Sequence, residues 1–402
     1  MGIIIFQIFV VYLFLLVSSS AQNNVPAVFT FGDSLVDVGN NNNLQTIAKA
    51  NYFPHGIDFG NNPTGRFSNG RTIIDIIQTY SSMDSKFLQF SYFLMTEQEV
   101  GLKNFTPPYL APTAAGDNLL QGVNYASSAS GISNFTGFFF GDRISFDTQI
   151  SDHGTTALAI MSRIGIPAAQ KLLRKAIYVV VIGSNDIMFK ESAPIAMSEE
   201  AYMDFLISRL KLALTVKFPS LRLTYVGCNK KVRSTHTKKI PLQTLYNLDA
   251  RKIVVSNAAL VGCIPFEKDI HPVEKGSCAR VLNKMAQIYN NKLKGMLAEL
   301  NKELQGAKFV YADNYRILQD LTQNYASYGF EVATSACCAI AGRRGGLVPC
   351  NPLSKVCPDR SKYVFWDPFH LTDAACVVAT RHIMDGDLTY MSPMNLRQLV
   401  QS

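Results

Sequence analysis

Five short runs rich in β-forming residues recur along this chain, each separated from the next by a longer helical or loop-like stretch. They cover residues 27–31, 123–126, 177–182, 252–255 and 308–311. The third run, IYVVVI, is apolar at every position, as expected of a strand that is covered on both faces. Strands that alternate with helices are typical of a parallel sheet between two layers of helices. The sequence therefore predicts a three-layer α/β/α sandwich with a five-stranded, mostly parallel sheet.

The composition agrees with one large globular domain. Of the 402 residues, 48% are hydrophobic and 17% are charged, a balance that excludes intrinsic disorder and collagen-like repeats. An apolar stripe at helical spacing over residues 282–304 predicts a long helix with one buried face. Because no linker and no second core pattern interrupts the runs, residues 22–402 are expected to form a single domain.

The first residues form a short apolar segment. Residues 3–17 are apolar except for Gln7, and the sequence SSSA follows. Fifteen residues are fewer than the ~20 that a membrane-spanning helix needs, and small residues before position 22 suit signal-peptidase cleavage after Ala21. Residues 1–21 are therefore predicted to be a signal peptide of a secreted, extracellular protein. A buried N-terminal helix is the alternative interpretation.

Two further features agree with secretion. Asn104 and Asn134 each begin a glycosylation sequon, Asn-Phe-Thr. Eight cysteines without any C-x-x-C pair are more typical of disulfides than of metal ligands in an oxidising compartment. Their pairing stays open, because eight cysteines allow about 105 connectivities.

Small and polar residues follow the first three predicted strands. They are GDS at 32–34, SSASG at 127–131 and GSND at 183–186. Ligands of parallel sheets bind at the carboxyl ends of the strands. This edge of the sheet is therefore the predicted functional site.

Residues suited to ester cleavage lie at these strand ends and near the C-terminus. The reaction needs a hydroxyl nucleophile, a base and a group that orients the base, and Ser34, His370 and Asp367 fit these roles. His382 is an alternative base. The Asn185 amide and the Ser34 backbone N–H could bind the developing oxyanion, although Asn185 could equally cap a helix.

Motifs of other enzyme classes are absent from the sequence. Ser34 does not lie in a G-x-S-x-G elbow of the α/β-hydrolase type. No H-E-x-x-H motif predicts zinc, and neither of the Gly-rich phosphate-binding motifs occurs. No metal and no other cofactor is therefore expected.

The blocks around these residues resemble those of plant GDSL esterase/lipases, within the SGNH hydrolase superfamily. The resemblance covers most of the chain after residue 21 and implies an SGNH (flavodoxin-like) form of the predicted fold. In chain order, the matching blocks are FGDSLVDVGNNN (31–42), GRFSNGR (65–71), GVNYAS (122–127), GSND (183–186), GCIP (262–265), YGF (328–330), ACC (336–338), FWD (365–367) and PMNLRQL (393–399).

The resemblance also implies roles for particular residues. Ser34 would be the nucleophile, His370 the base, Asp367 its orienting partner and Asn185 an oxyanion donor. The second donor would be the backbone N–H of Ala129, where many members carry glycine. Six cysteines would form the structural set and Cys376 would be a buried free thiol; the six are Cys263, Cys278, Cys337, Cys338, Cys350 and Cys357.

Two stretches, residues 78–98 and 213–241, have no counterpart in that family pattern. They are interpreted either as introns translated through an incorrect gene model or as real surface insertions. Without the seven basic residues of the second stretch, the net charge falls from +8 to +1. A nucleic-acid partner is therefore not expected.

Together these features predict a secreted, glycosylated serine hydrolase that cleaves carboxylic esters through an acyl-enzyme on Ser34. Its expected partner is a small-molecule or polymer ester, from lipid or from wall-associated acyl groups, and no stable membrane insertion is expected. Two alternatives remain open. One is an acyltransferase in extracellular polymer assembly, and the other is a catalytically silent secreted wall or defence protein.

Overall fold

The computed structural model describes residues 25–82, 105–192, 196–215, 244–271 and 278–402. Several predictions fall outside these ranges and stay predictions: the signal peptide at 1–21, the sequon at Asn104 and most of both extra stretches, including Cys228.

The core of the fold is a mostly parallel sheet of five strands in the order β1-β2-β3-β4-β9. β1 to β4 are parallel and β9 is antiparallel to β4, so the predicted fold class is confirmed. Two small sheets pair β5 with β8 and β6 with β7. The strands are β1 (Val28–Gly32), β2 (Ile177–Val181), β3 (Lys252–Ser256), β4 (Lys308–Ala312), β5 (Val332–Ala336), β6 (Cys338–Ala339), β7 (Lys355–Val356), β8 (Tyr363–Phe365) and β9 (Met391–Ser392).

One predicted strand, residues 123–126, is wrong. This segment runs beside β1 but forms only isolated bridges, from Asn124 to Thr30 and to Pro108. The Asn124 side chain accepts from the Ala126 N–H, and a local bond of this kind competes with a regular ladder. The same side chain also donates to the Val36 carbonyl. The fifth strand is instead the two-residue β9, which is too short to show a periodicity.

Helices cover both faces of the sheet. The predicted helix at 282–304 is confirmed as α7. The helices are α1 (Ile73–Ser82), α2 (Phe146–Ile164), α3 (Ile166–Lys175), α4 (Ser184–Met188), α5 (Glu199–Thr215), α6 (Pro265–Ile270), α7 (Arg280–Glu303), α8 (Asn314–Gln323), α9 (Asp373–Asp385) and α10 (Leu396–Gln401).

Alternate residues of each central strand enter one of two hydrophobic layers. In β2, Tyr178 and Val180 pack with α2, α3, α5 and α7. Ile177, Val179 and Val181 pack on the other face with α1, α8, α9 and α10. Since both faces are buried, every position of β2 is apolar, as the IYVVVI run predicted.

The register of the parallel strands brings their carboxyl ends to one edge. Gly32 is paired with Val181, Val181 with Ser256, and Ser256 with Ala312. The polar turns that follow β1 and β2 therefore start side by side at this edge.

Candidate active site

Ser34 lies in the turn that directly follows β1. Gly32 precedes it at φ +154°, and a Cβ atom there would lie 2.2 Å from the Val181 carbonyl oxygen, so only glycine permits this close approach. The Asp33 carbonyl then accepts hydrogen bonds from the N–H groups of Val36 and Asp37. This turn leaves the Ser34 side chain partly exposed at the edge of the sheet.

The structure brings Ser34 together with two residues more than 300 positions away in the sequence. The Ser34 Oγ atom lies 2.8 Å from His370 Nε2. His370 Nδ1 lies 2.8 Å from both carboxylate oxygens of Asp367. His370 and Asp367 are buried, which favours one fixed arrangement of the three side chains.

A closed loop between β8 and α9 positions the His–Asp pair. Asp367 Oδ1 accepts the backbone N–H groups of Phe369 and His370, each at 2.8 Å. The Trp366 N–H donates to the His370 carbonyl at 2.8 Å, which closes the loop. The spacing of three residues therefore lets one carboxylate bind both the backbone and the imidazole of His370.

Asp367 stays ionised in this buried position. Burial opposes its charge, but the His370 imidazole and the hydrogen bond between them outweigh it and hold the pKa of Asp367 below its usual value. A negative carboxylate at Nδ1 keeps the proton on that nitrogen and leaves Nε2 free to accept one from Ser34.

Three hydrogen-bond donors converge on the same cleft. Asn185 begins the first turn of α4, and its amide donates one hydrogen to the Ser130 carbonyl at 2.9 Å, which leaves its second hydrogen available. Among the described residues, the backbone N–H groups of Ser34 and Ala129 have no hydrogen-bond acceptor. Ser34, Ala129 and Asn185 all line the cleft.

Buried carboxylates, which the sequence analysis did not single out, hold the segment that carries Ala129. Asp37 accepts from the Ser128 N–H at 3.0 Å. Asp186 accepts from the N–H groups of Ile132 and Ser133 and from the Thr136 hydroxyl. Burial raises the pKa of Asp37 and of Asp186 to about 6 each. Asp37 and Asp186 lie inside sequence blocks that match the family, and this position could have identified them as residues that support the site.

Two further buried groups near Ser34 were also missed. Asp33 is buried, its Oδ2 atom has no partner among the described residues, and burial raises its pKa to about 7. His55 lines the cleft and accepts a hydrogen bond from Trp366 Nε1 at 3.1 Å. Burial lowers the pKa of His55 to about 4, so it is neutral at pH 7. Neither position has a distinctive spacing.

The alternative base, His382, lies elsewhere. It is on α9, where its Nε2 atom is 3.2 Å from the Tyr328 hydroxyl and 3.8 Å from Asp320 Oδ2. Since His382 does not line the cleft, the contact with Ser34 belongs to His370.

The cleft above Ser34 has a volume of about 190 Å³. Its walls are mostly apolar, and aromatic rings are prominent among them. The apolar lining includes Leu35, Ile47, Phe67, Ile73, Phe140, Met188, Phe189, Val261, Ile264, Ile317, Leu318, Leu321, Phe365, Phe369 and Leu371. Such a surface suits the hydrocarbon part of a ligand.

The six cysteines of the predicted structural set are paired. The disulfides are Cys263–Cys278, Cys337–Cys357 and Cys338–Cys350. Cys350 also lines the cleft, so the last disulfide supports one of its walls. Cys376 is a buried free thiol, as predicted.

Three further sequence predictions concern the sequon at Asn134, metal binding and membrane insertion. Asn134 is exposed, and its amide donates to Asp147 at 2.9 Å. Within the described ranges, no group of three or more His, Cys, Asp or Glu side chains could hold a metal ion. None of the helices described is both long and apolar enough to cross a membrane.

A serine hydroxyl bonded to a buried His–Asp pair, next to unused donors on an α/β sheet, is typical of serine hydrolases. Comparison with known proteins identifies the family: the GDSL-like lipase/acylhydrolase model matches residues 28–383. The chain belongs to this family and is a carboxylic ester hydrolase.

Several proteins of Arabidopsis thaliana are similar over nearly the whole chain. GDSL esterase/lipase At4g16230 is 46% identical, with 94% of this chain and 92% of the relative covered. GDSL esterase/lipase At2g23540 is 39% identical, covering 93% and 87%. GDSL esterase/lipase At3g50400 is also 39% identical, covering 95% and 93%.

Proposed function

We propose that this protein is a secreted serine esterase that cleaves acyl esters through a covalent acyl-enzyme on Ser34. The observation that carries the proposal is the chain of 2.8 Å contacts from Ser34 Oγ to His370 Nε2 and from His370 Nδ1 to Asp367. Nucleophile, base and orienting carboxylate are thereby aligned at the floor of an apolar cleft.

In the first half of the reaction, Ser34 Oγ attacks the ester carbonyl carbon while its proton moves to His370 Nε2. Asp367 stays ionised and stabilises the imidazolium that forms. When the tetrahedral intermediate collapses, the C–O bond to the alcohol breaks, and His370 returns the proton to the leaving oxygen. The alcohol departs and the acyl group remains on Ser34.

In the second half, water takes the place of the alcohol. His370 removes a proton from the water as it attacks the acyl carbon, and then returns that proton to Ser34 Oγ. The carboxylic acid leaves and the free serine is restored. Both halves pass through an oxyanion, which the Asn185 amide and the N–H groups of Ser34 and Ala129 would bind.

The substrate class follows from the cleft. Its apolar walls favour the acyl part of an ester, from a lipid or from a wall-associated polymer. Secretion is supported by the N-terminal segment, the exposed sequon at Asn134 and the three disulfides, because disulfides persist in oxidising compartments.

Labelling with a fluorophosphonate tests the nucleophile. We expect the probe to label wild type but not Ser34→Ala. Ser128→Ala is the matched control, since Ser128 lines the same cleft but has no part in the proposed proton transfers. Labelling of Ser34→Ala at the wild-type rate would contradict the proposal.

The acceptor of the acyl group is a separate question. With an ester substrate and an added alcohol, hydrolysis releases free acid and acyl transfer yields an acylated alcohol. We expect free acid as the main product. A predominance of the acylated alcohol would favour the transferase, with the same acyl-enzyme on Ser34.

A further inference from the structure

Exposed apolar side chains are concentrated at one side of the cleft mouth. Ile47, Phe138 and Phe139 are 77%, 57% and 46% exposed; together they are called the apolar rim here. Single exposed apolar residues are ordinary on a protein surface, but a contiguous group indicates an interaction site.

Two loops form the apolar rim and are tied to each other by backbone bonds. The Ile47 N–H donates to the Phe140 carbonyl at 2.9 Å, and the Asp142 N–H donates to the Gln45 carbonyl at 2.9 Å. The Thr46 hydroxyl also donates to the Phe140 carbonyl, at 2.8 Å. These bonds hold the loop that carries Ile47 beside the loop that carries Phe138 and Phe139.

The apolar rim is continuous with the interior of the cleft. The Phe138 ring contacts Phe139 at 5.9 Å between centroids, and Phe139 contacts Phe140 at 4.3 Å and Phe189 at 5.2 Å. Phe140, Phe189 and Ile47 line the cleft. An acyl chain could thus pass from the outer surface, over the apolar rim and along the apolar lining of the cleft, towards Ser34.

We propose that the apolar rim docks the enzyme on a lipid surface, so that the substrate is an acyl ester taken from an aggregated phase. This inference rests on the proposed function, since it names the substrate phase for the same cleft. Phenylalanine and other large apolar side chains enter the boundary between headgroups and acyl chains, and burial of the half-exposed rings there would stabilise the bound state.

The size of the apolar rim argues against a second copy of the chain as its occupant. A stable protein interface buries ~800 Å² from each partner, whereas an aromatic side chain contributes ~200 Å² even when it is fully buried. Two half-exposed rings and one isoleucine fall well short of that area. A fluid lipid surface needs no complementary shape and can accept so small a group.

Fluorescence measures the docking directly. The chain has a single tryptophan, Trp366, which is fully buried, so a second one is easily distinguished. In the Ser34→Ala background, which prevents turnover, we expect Phe138→Trp emission to shift to shorter wavelength on adding trioleoylglycerol droplets coated with phosphatidylcholine. Leu388→Trp, at a residue that is 67% exposed and not in the cleft lining, should show no shift. An unchanged Phe138→Trp spectrum would overturn the inference.

Activity provides the second readout. We expect Phe138→Ser/Phe139→Ser to bind droplets at least about tenfold more weakly and to lose hydrolysis of the emulsified ester in proportion, while it keeps hydrolysis of soluble p-nitrophenyl acetate. The matched control is Leu158→Ser/Leu388→Ser, at residues 56% and 67% exposed, which should behave as wild type.

Each remaining outcome has a definite meaning. Unchanged droplet binding in Phe138→Ser/Phe139→Ser overturns the inference, and so does an equal loss on both substrates. A wild-type dimer that this variant dissociates would assign the rim to self-association and also overturn it. If Ser34→Ala instead keeps activity on the soluble ester, the proposed nucleophile is wrong, whereas the droplet-binding result still decides the docking.

Discussion

Asn185 lies in the first turn of α4 but does not cap this helix, whose N-cap is Gly183 without a side-chain hydrogen bond. Its amide uses one hydrogen on the Ser130 carbonyl, and the other is available to the substrate. We expect Asn185→Ala to lower kcat about 100-fold or more, because one oxyanion donor contributes roughly 3 kcal/mol to transition-state stabilisation.

The matched measurement separates this role from a structural one. kcat on a soluble ester and Tm are compared for wild type, Asn185→Ala and Asn134→Ala. Asn134 is an exposed asparagine outside the cleft, so its substitution should leave kcat unchanged. If Asn185→Ala retains wild-type kcat, or loses it only together with its folded structure, Asn185 is a structural residue.

The family resemblance pointed to Ala129, but its backbone conformation was not predictable from the sequence. It has a φ of +65°, a conformation that costs an L-residue roughly 1 kcal/mol or more relative to glycine. The backbone bonds of Asp37 and Asp186 to its neighbours hold the segment in place. The direction of the Ala129 N–H therefore depends on carboxylates distant in the sequence, which local propensity does not report.

At the scale of elements, described residues before and after each extra stretch are hydrogen-bonded to each other. Gln78, on α1, exchanges two hydrogen bonds with Thr106, at 2.8 and 3.0 Å. The Leu245 N–H donates to the Ala213 carbonyl, on α5, at 3.2 Å. The described residues on the two sides of each stretch are therefore in direct contact.

This geometry predicts that the extra stretches can be removed. We expect deletion of residues 83–98 and 216–241 to leave Tm and fluorophosphonate labelling of Ser34 at or above their full-length values. The reason is that both deletions keep the hydrogen bonds of Gln78 with Thr106 and of Ala213 with Leu245. The two single deletions show which stretch is responsible for any loss. If both single-deletion variants are insoluble or are not labelled, both stretches contribute to the fold.

The transcript distinguishes the two interpretations of these stretches, translated introns and surface insertions. Transcript reads that contain both stretches would exclude the intron interpretation. Reads that skip both would confirm it. The net charge would then fall from +8 to +2, because residues 78–98 carry two acidic residues and one basic residue and residues 213–241 carry seven basic residues.

At the scale of the whole molecule, a buried histidine links global stability to pH. His153 is fully buried behind β1, between the rings of Phe29 and Phe31, and its Nε2 atom has no partner among the described residues. Burial lowers its pKa to about 3. The unfolded chain takes up a proton below about pH 6.5 that the folded chain does not, so this residue lowers the free energy of unfolding as pH falls from about 6.5 towards 3.

Replacing His153 should remove this dependence. As the pH is lowered from 7 to 5, we expect the free energy of unfolding of His153→Phe to rise by about 2 kcal/mol relative to that of wild type. Urea unfolding at pH 7, 6 and 5 measures this difference. His153→Gln, which also cannot bind the proton but differs in shape, should show the same relative slope. Wild-type and variant curves that stay parallel would exclude His153 as the source.

The local sequence determined the elements with a strong hydrophobic pattern, because burial of a strand or a helix face gives its apolar residues a regular spacing. The strands β1 to β4 and the helix α7 follow from such patterns, and the short Asp-x-x-His spacing already allowed His370 and Asp367 to bind each other. The family blocks added the pairing of these residues with Ser34 and the set of structural cysteines.

Only the tertiary structure decided the features that depend on distant groups. It made β9 rather than residues 123–126 the fifth strand and brought His370 rather than His382 to Ser34. It bonded Asp37 and Asp186 to the backbone of the segment that carries Ala129. It also joined two loops into the apolar rim. The physical reason is that backbone direction, desolvation and contacts between residues far apart in the chain come from packing, which leaves no periodic signal in the sequence.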